Sequence, residues 1–371
     1  MYGNSTSRRT ASPCHGLRCF GRKALESESI TAVKRKYKYA ASVFATLTFL
    51  ASGAGCGDGD SDEAPDQDQK EIETPEVPAE ADFEQAGAER LKVSVDHLSA
   101  GGGAVWGNWE AAMIRIDPDT GEQTDEICIP EAPCGGSEFG DGAVWTQTCT
   151  EDGLARVDSE TLEVTHVPLD SSSLHHGNST IGFGEGTAWV IADGKGCEAC
   201  VLIGVDADSL AVSHEIEVEP GASSVVVGLG SVWVANPKSA TISMVDVATD
   251  EISAEIPVEG APQYLAAGEG GIWAFDQLGG NVVELGPDGE EVRTIEADMA
   301  GAGGSISTGE GSVWVSGPLA LLEEIDPETG EILARYGPRS SGGDVLVAYG
   351  WVWASRYQEE FEDLLRLELG T

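Results

Sequence analysis

Basic residues are scarce in this chain. Its 371 residues hold 21 Lys and Arg against 64 Asp and Glu, a formal net charge of −43. A nucleic-acid partner is thereby excluded, because neutralising phosphates needs a basic face. Nine of the 21 basic residues precede Cys56, where only two acidic residues lie, so the remainder is more acidic still. That charge resists aggregation. It also suits a saline setting, or the attraction of cations or a basic partner; a solvated surface is the plainest account. No apolar run reaches the ~20 residues that a membrane helix requires. Histidine is absent after His214, so the later part of the chain has no imidazole for acid–base work.

What recurs instead is one tryptophan phrase. Trp106, Trp145, Trp189, Trp233, Trp273, Trp314 and Trp353 follow one another at intervals of 39, 44, 44, 40, 41 and 39 residues. Each closes a Gly-rich phrase, from GGGAVW through GLGSVW to the worn AYGWVW. A period near forty with short apolar runs and Gly turns marks a repeat whose unit is a small sheet.

The sixth copy shows the unit. Four runs, 305–308, 312–316, 320–325 and 331–336, are separated by turn signals. Gly309-Glu310-Gly311 suits a hairpin that needs positive φ. Asp326-Pro327-Glu328-Thr329-Gly330 presets one turn residue with Pro and closes it with Gly. The same turn recurs at 117–121, with altered versions at 158–161, 246–250 and 286–289. The runs carry apolar residues on both faces, as sheets sandwiched between neighbours do. The expected fold is an all-β, seven-bladed propeller of four-stranded antiparallel blades over 89–371. In it the recurring Trp is a packing residue between blades, and a sugar-stacking platform is its functional alternative. The seventh copy supplies three strands, and 89–96 is expected to complete that blade and tie the ring shut.

The first 88 residues do not fit the repeat. A basic cluster at 34–38, an apolar and small-residue run at 40–55, Cys56 and an acidic stretch follow in that order. This order resembles a bacterial lipoprotein signal, which implies lipidation at Cys56; a cleaved secretory signal with an incidental Cys is the alternative. Gly53 stands where such signals usually carry Leu. Residues 1–56 are expected to be the signal or anchor region, with a possible true start near Val33. Residues 57–88, rich in acid and poor in apolar surface, are expected to be a disordered tether. The expected location is outside the cytoplasm: outer membrane, periplasm or cell surface.

Export permits disulfides. Cys197 and Cys200 are expected to clip a long hairpin in the third blade. Cys134 pairs with Cys149 and leaves Cys128 reduced, or Cys128 takes the place of Cys134. Zinc would need two more soft ligands near Cys197 and Cys200, and no Cys stands at matching spacing, so neither a metal nor a cofactor is expected.

Tight turns occupy one end of the blades, and the variable loops the other. Ligand-binding candidates on the variable face are Trp109, Gln147, His175, His176, Asn178, Asn236, Tyr264, Asp276, Arg339 and Arg356. Trp109 is read as a loop residue beyond the repeated phrase. His175 and His176 lie in the longest inter-blade loop, 168–180, and could serve metal binding or acid–base work; two ordinary loop imidazoles are the alternative.

The phrase GLGSVWVAN at 228–236, followed by an apolar strand and an Asp turn, resembles the superfamily of virginiamycin B lyase and the YVTN-type surface-layer repeats. The resemblance spans roughly 90–371 and implies a propeller. Its lyase branch implies closely spaced His and Glu on late-blade loops with a magnesium ion, and this chain has no late His. The expected role is a non-catalytic binding or scaffolding module at a bacterial envelope. It would act as a monomer toward an envelope protein or small ligand, meeting the membrane only through its anchor. The alternative is a lyase- or hydrolase-like enzyme using His175 or His176 with Glu151 or Asp152.

Overall fold

The computed structural model describes residues 78–169, 174–175, 180–193, 200–301, 303–338, 343–355 and 363–369. All belong to the unit Val77–Thr371. Cys56, the signal region and the tether as far as residue 77 lie outside them.

Seven sheets follow one another along the chain. Blade one comprises Leu98–Gly101, Ala104–Trp109, Ala112–Ile116 and Gln123–Cys128, each antiparallel to the last. Blades two to six repeat the plan. Inner strands of successive blades touch around the ring, and the inner strand of blade seven, Val345–Ala348, meets that of blade one. The architecture is a seven-bladed β-propeller, and among the described residues no helix occurs.

The recurring phrase has a packing reason at each position. Its first Gly ends the inner strand, where the next blade comes closest. A Cβ on Gly101 would sit 2.0 Å from the Phe139 ring, and one on Gly140 would sit 1.9 Å from Phe183. The middle residue and second Gly form a two-residue hairpin with positive φ at both, 48° at Asp141 and 70° at Gly142, as a type I′ turn requires. The Trp is then fully buried, no copy being more than 1% exposed. In most copies its indole N–H donates back to the strand end: Trp106 to Gly101 O at 3.0 Å, Trp233 to Gly228 O at 2.9 Å, Trp273 to Gly268 O at 3.0 Å. Trp106 shares its cluster with Val144, Ala155 and Val157 of the following blade, and Trp145 with Ala188, Val190 and Val205. The tryptophans therefore cement blade to blade.

The Asp turns close the outer hairpins. Asp117 Oδ1 accepts from the N–H groups of Asp119 and Thr120 and from the Thr120 hydroxyl. Asp326 accepts from Glu328 and Thr329 in the same way. These bonds favour the charged form and hold both carboxyls below the usual carboxylate range.

Closure uses both ends of the ring. Glu89–Leu91 pairs antiparallel with Leu364–Glu368 and supplies the outer strand of blade seven. The folded part also starts earlier than position 89. Ala81–Asp82 adds a fifth, parallel strand to blade six beside Ile332–Gly337. Phe83, fully buried, packs edge-on against Tyr336. One aromatic residue inside an acidic stretch is enough to seat its neighbours, because burying it removes about 150–250 Å² from water.

Candidate functional site

Two ends of the ring differ as the turn chemistry requires. The type I′ and Asp turns share one end. Connections between blades, and between second and third strands, share the other.

Several variable-face candidates make hydrogen bonds within the scaffold. Gln147 is fully buried; its Nε2 donates to Thr180 O and its Oε1 accepts from the Thr180 hydroxyl. Asn236 is buried and donates to the hydroxyls of Thr241 and Ser243. Asp276 is 5% exposed and accepts from the N–H groups of Leu278 and Gly279. Asn236 and Asp276 serve their own hairpins, and Gln147 ties blade two to the connection that enters blade three. Trp109 is not a loop residue: it ends the strand Ala104–Trp109 and pairs with Ala112. Its loop is shorter than expected because Glu110 accepts φ 50° and completes a two-residue turn. Tyr264 is half-buried against Phe275, with its hydroxyl 3.5 Å from Gln277 Oε1. Burial raises the Tyr264 phenol, and the Asp344 charge adds to the shift. His176, Asn178, Arg339 and Arg356 lie outside the described residues.

The cysteines depart from expectation at two positions. Cys134 and Cys149 are joined by a disulfide with Cα atoms 5.2 Å apart. Cys128 is not reduced; it is disulfide-bonded too. Cys200 is a free, buried thiol, so the expected Cys197–Cys200 clip is not formed. The reason is register. Cys200 opens the third strand of blade three opposite Asp193, and its sulfur faces the connection to blade four, where Gly221 N–H donates to it at 3.2 Å.

That sulfur belongs to a cluster. His175 is drawn to blade three by its N–H, which donates to Ile191 O at 2.9 Å, beside the bridge of Leu174 with Ala192. Its Nε2 lies 2.6 Å from Asp193 Oδ1 and 3.9 Å from Cys200 Sγ, while Nδ1 lies 3.1 Å from Ala222 O. His175 thus meets Asp193 rather than Glu151 or Asp152. One ring nitrogen addresses both carboxylate and sulfur. A nucleophile–base–carboxylate relay needs opposite ring nitrogens for its two partners, so this is a convergent donor set and not a relay. Sequence reading missed Asp193 and Cys200 as partners of His175. The available signal was that a hairpin places the residue before a loop opposite the residue after it.

The central channel, about 250 Å³, is lined by inner-strand residues including Ser137, Glu138, Ser305 and Asp344. Glu138 faces this enclosure, and loss of hydration pushes its carboxyl up to about 7. Asp344 is buried and raised for the same reason, although Leu98 N–H donates to its Oδ2 at 2.8 Å. Among the described residues no imidazole lines this channel.

Comparison with solved structures places this geometry. A streptogramin B lyase structure superposes at TM-score 0.62 over 76% of this chain and 97% of its own, with 14% identity. The fold resembles that of virginiamycin B lyase. The Staphylococcus aureus virginiamycin B lyase matches at TM-score 0.59, covering 76% of this chain and 99% of the enzyme at 14% identity. The WD40 repeats of RRP9 match equally well, at TM-score 0.62 over 80% of this chain and all of theirs, with 9% identity. A lyase and a set of WD40 repeats fit the same backbone, so what is shared is the ring. No family model matches the sequence, and no curated protein matches it.

Proposed function

We propose that the chain is an exported, lipid-anchored propeller that acts as a non-catalytic binding or scaffolding module at a bacterial envelope. One observation carries the non-catalytic part. At Gln147, Asn236 and Asp276 the side chains of the variable end are engaged in structural hydrogen bonds, and His175 is arranged to converge rather than to relay protons. The anchor rests on the order of basic cluster, apolar run, Cys56 and acidic stretch. A partner would meet the variable end, where connections differ in length and sequence from blade to blade.

Two experiments test the reading. Photo-crosslinkers placed at Trp109 on the variable end and at Asp119 on the turn end should give an adduct in intact cells only from Trp109. Equal labelling at both ends, or none, would count against a binding face there. Incubation with quinupristin, the compound bound in a catalytically inactive virginiamycin B lyase variant, should return it intact; turnover would establish the enzymatic alternative. For the anchor, mass spectrometry of the mature amino terminus should find a lipidated Cys56.

A further inference from the structure

The His175 cluster has the construction of a metal site. Nε2 of His175, a carboxylate oxygen of Asp193 and Sγ of Cys200 all lie within 4.8 Å of one another. Three separate segments deliver them: an inter-blade connection, the end of Thr187–Asp193 and the start of Cys200–Asp206.

The histidine is oriented from behind. Ala222 O can only accept, so the hydrogen bond at 3.1 Å assigns a proton to Nδ1. In the neutral ring the Nε2 lone pair then points at Asp193 Oδ1, 2.6 Å away. Two lone pairs that close repel unless a positive centre lies on that edge. A metal-bound imidazole characteristically donates its other N–H to a carbonyl, which fixes the tautomer and ring plane. Ala222 supplies that carbonyl. Cys200 is 2% exposed and its sulfur receives the Gly221 N–H, so it too is held in place by the connection that leads to blade four.

A second proton on the ring would satisfy the carboxylate alone. It would leave unexplained why a buried thiol is turned onto the same edge. Donor chemistry selects among cations. Magnesium and calcium take oxygen ligands. Nitrogen, oxygen and sulfur together suit a borderline transition metal, with zinc the commonest that accepts all three.

We propose that His175, Asp193 and Cys200 bind a divalent transition metal, zinc by preference, at the variable end of blade three. The ion would fasten the inter-blade connection to the mouth of the hairpin that follows it. This site does not depend on the chain being a binding module.

The test uses the full chain, stripped of metal and titrated with cobalt(II) as a spectroscopic substitute for zinc. One equivalent should produce the visible bands of low-coordinate cobalt together with a thiolate-to-cobalt charge-transfer band, both removed by added zinc. Cys200→Ser should lose the charge-transfer band. His175→Asn and Asp193→Asn should weaken binding by more than about tenfold, since even loss of an outer partner costs that much. Circular dichroism of each variant checks that the ring has formed. X-ray absorption of the zinc-loaded wild type, which needs no variant, should show one sulfur among nitrogen and oxygen neighbours. Failure to bind cobalt, a charge-transfer band that survives in Cys200→Ser, or a zinc spectrum without one sulfur ligand would each overturn the site.

Discussion

Arg366 and Glu89 stand 277 residues apart, yet the guanidinium holds the carboxylate through Nε at 2.9 Å and Nη2 at 2.7 Å. The arginine is 3% exposed and lies 4.0 Å from the centroid of the Trp351 ring. It also donates to the carbonyls of Pro118 and Asp119 in the first Asp turn. One side chain therefore links the last strand of the chain, the strand that closes blade seven, and blade one.

Removing Arg366 should cost far more than removing its partner. Arg366→Ala leaves two carbonyls and the tryptophan face without their cation, an expected loss of about 2–4 kcal/mol. Glu89→Gln should cost less than about 1 kcal/mol, because Glu89 is half exposed and water replaces the bond. Urea unfolding of the two variants decides it. Equal losses would show that the arginine acts only through Glu89.

Glu138 makes stability fall as pH rises. Its folded-state carboxyl at about 7 exceeds the ordinary 4.5. Between those values the folded chain keeps a proton that the unfolded chain has released, so the slope of stability with pH is negative there. Glu138→Gln should be more stable than wild type at pH 8, by about 1–3 kcal/mol after allowance for channel water. The two melting curves should meet below about pH 4.5. A constant gap across that range would show that the carboxyl ionises normally in the channel.

Asp326 has the opposite sign. Hydrogen bonds from Thr329 and Glu328 hold its folded-state carboxyl below the ordinary 3.8. Its contribution is present above that ordinary value and disappears as pH falls through the depressed one. Asp326→Ala should therefore lower the melting temperature modestly at pH 7, and the deficit should shrink in acid. A deficit that persists unchanged would mean that the turn does not depend on the charge.

Gly140 and Gly142 belong to one phrase but answer to different constraints. A methyl group on Gly140 would meet the Phe183 ring at 1.9 Å, whereas one on Gly142 meets nothing within 4 Å. Gly140→Ala should cost about 1–3 kcal/mol or more by overpacking. Gly142→Ala should cost only the backbone strain at φ 70°, about 1 kcal/mol. Thermal unfolding of the pair tests the order, and a reversed order would refute the packing account of the phrase.

The ring was legible because its information is local and repeated. Gly-x-Gly before Val-Trp, and Asp-Pro-x-Thr-Gly between two runs, each specify a turn by backbone conformation alone. Sixth-copy strands expected at 305–308 and 312–316 correspond to Ser305–Gly309 and Ser312–Ser316. The candidate site was much less legible. Gln147, Asn236 and Asp276 look like ligand contacts in sequence because polar ends of strands do, and only their partners show that Asn236 and Asp276 hold hairpins while Gln147 joins two blades. His175 was marked, but its meaning comes from Asp193, Cys200 and Ala222, which approach through strand register and the stacking of blade four on blade three.

Sequence alone determined the number of sheets, their turns, the role of the tryptophans and the borrowing of an amino-terminal strand, since each follows from apolar period and allowed φ within a few dozen residues. Tertiary structure decided which cysteines bond, where the folded part starts and which donors share one edge of His175. Those outcomes depend on distances between blades, and no spacing along the chain encodes them.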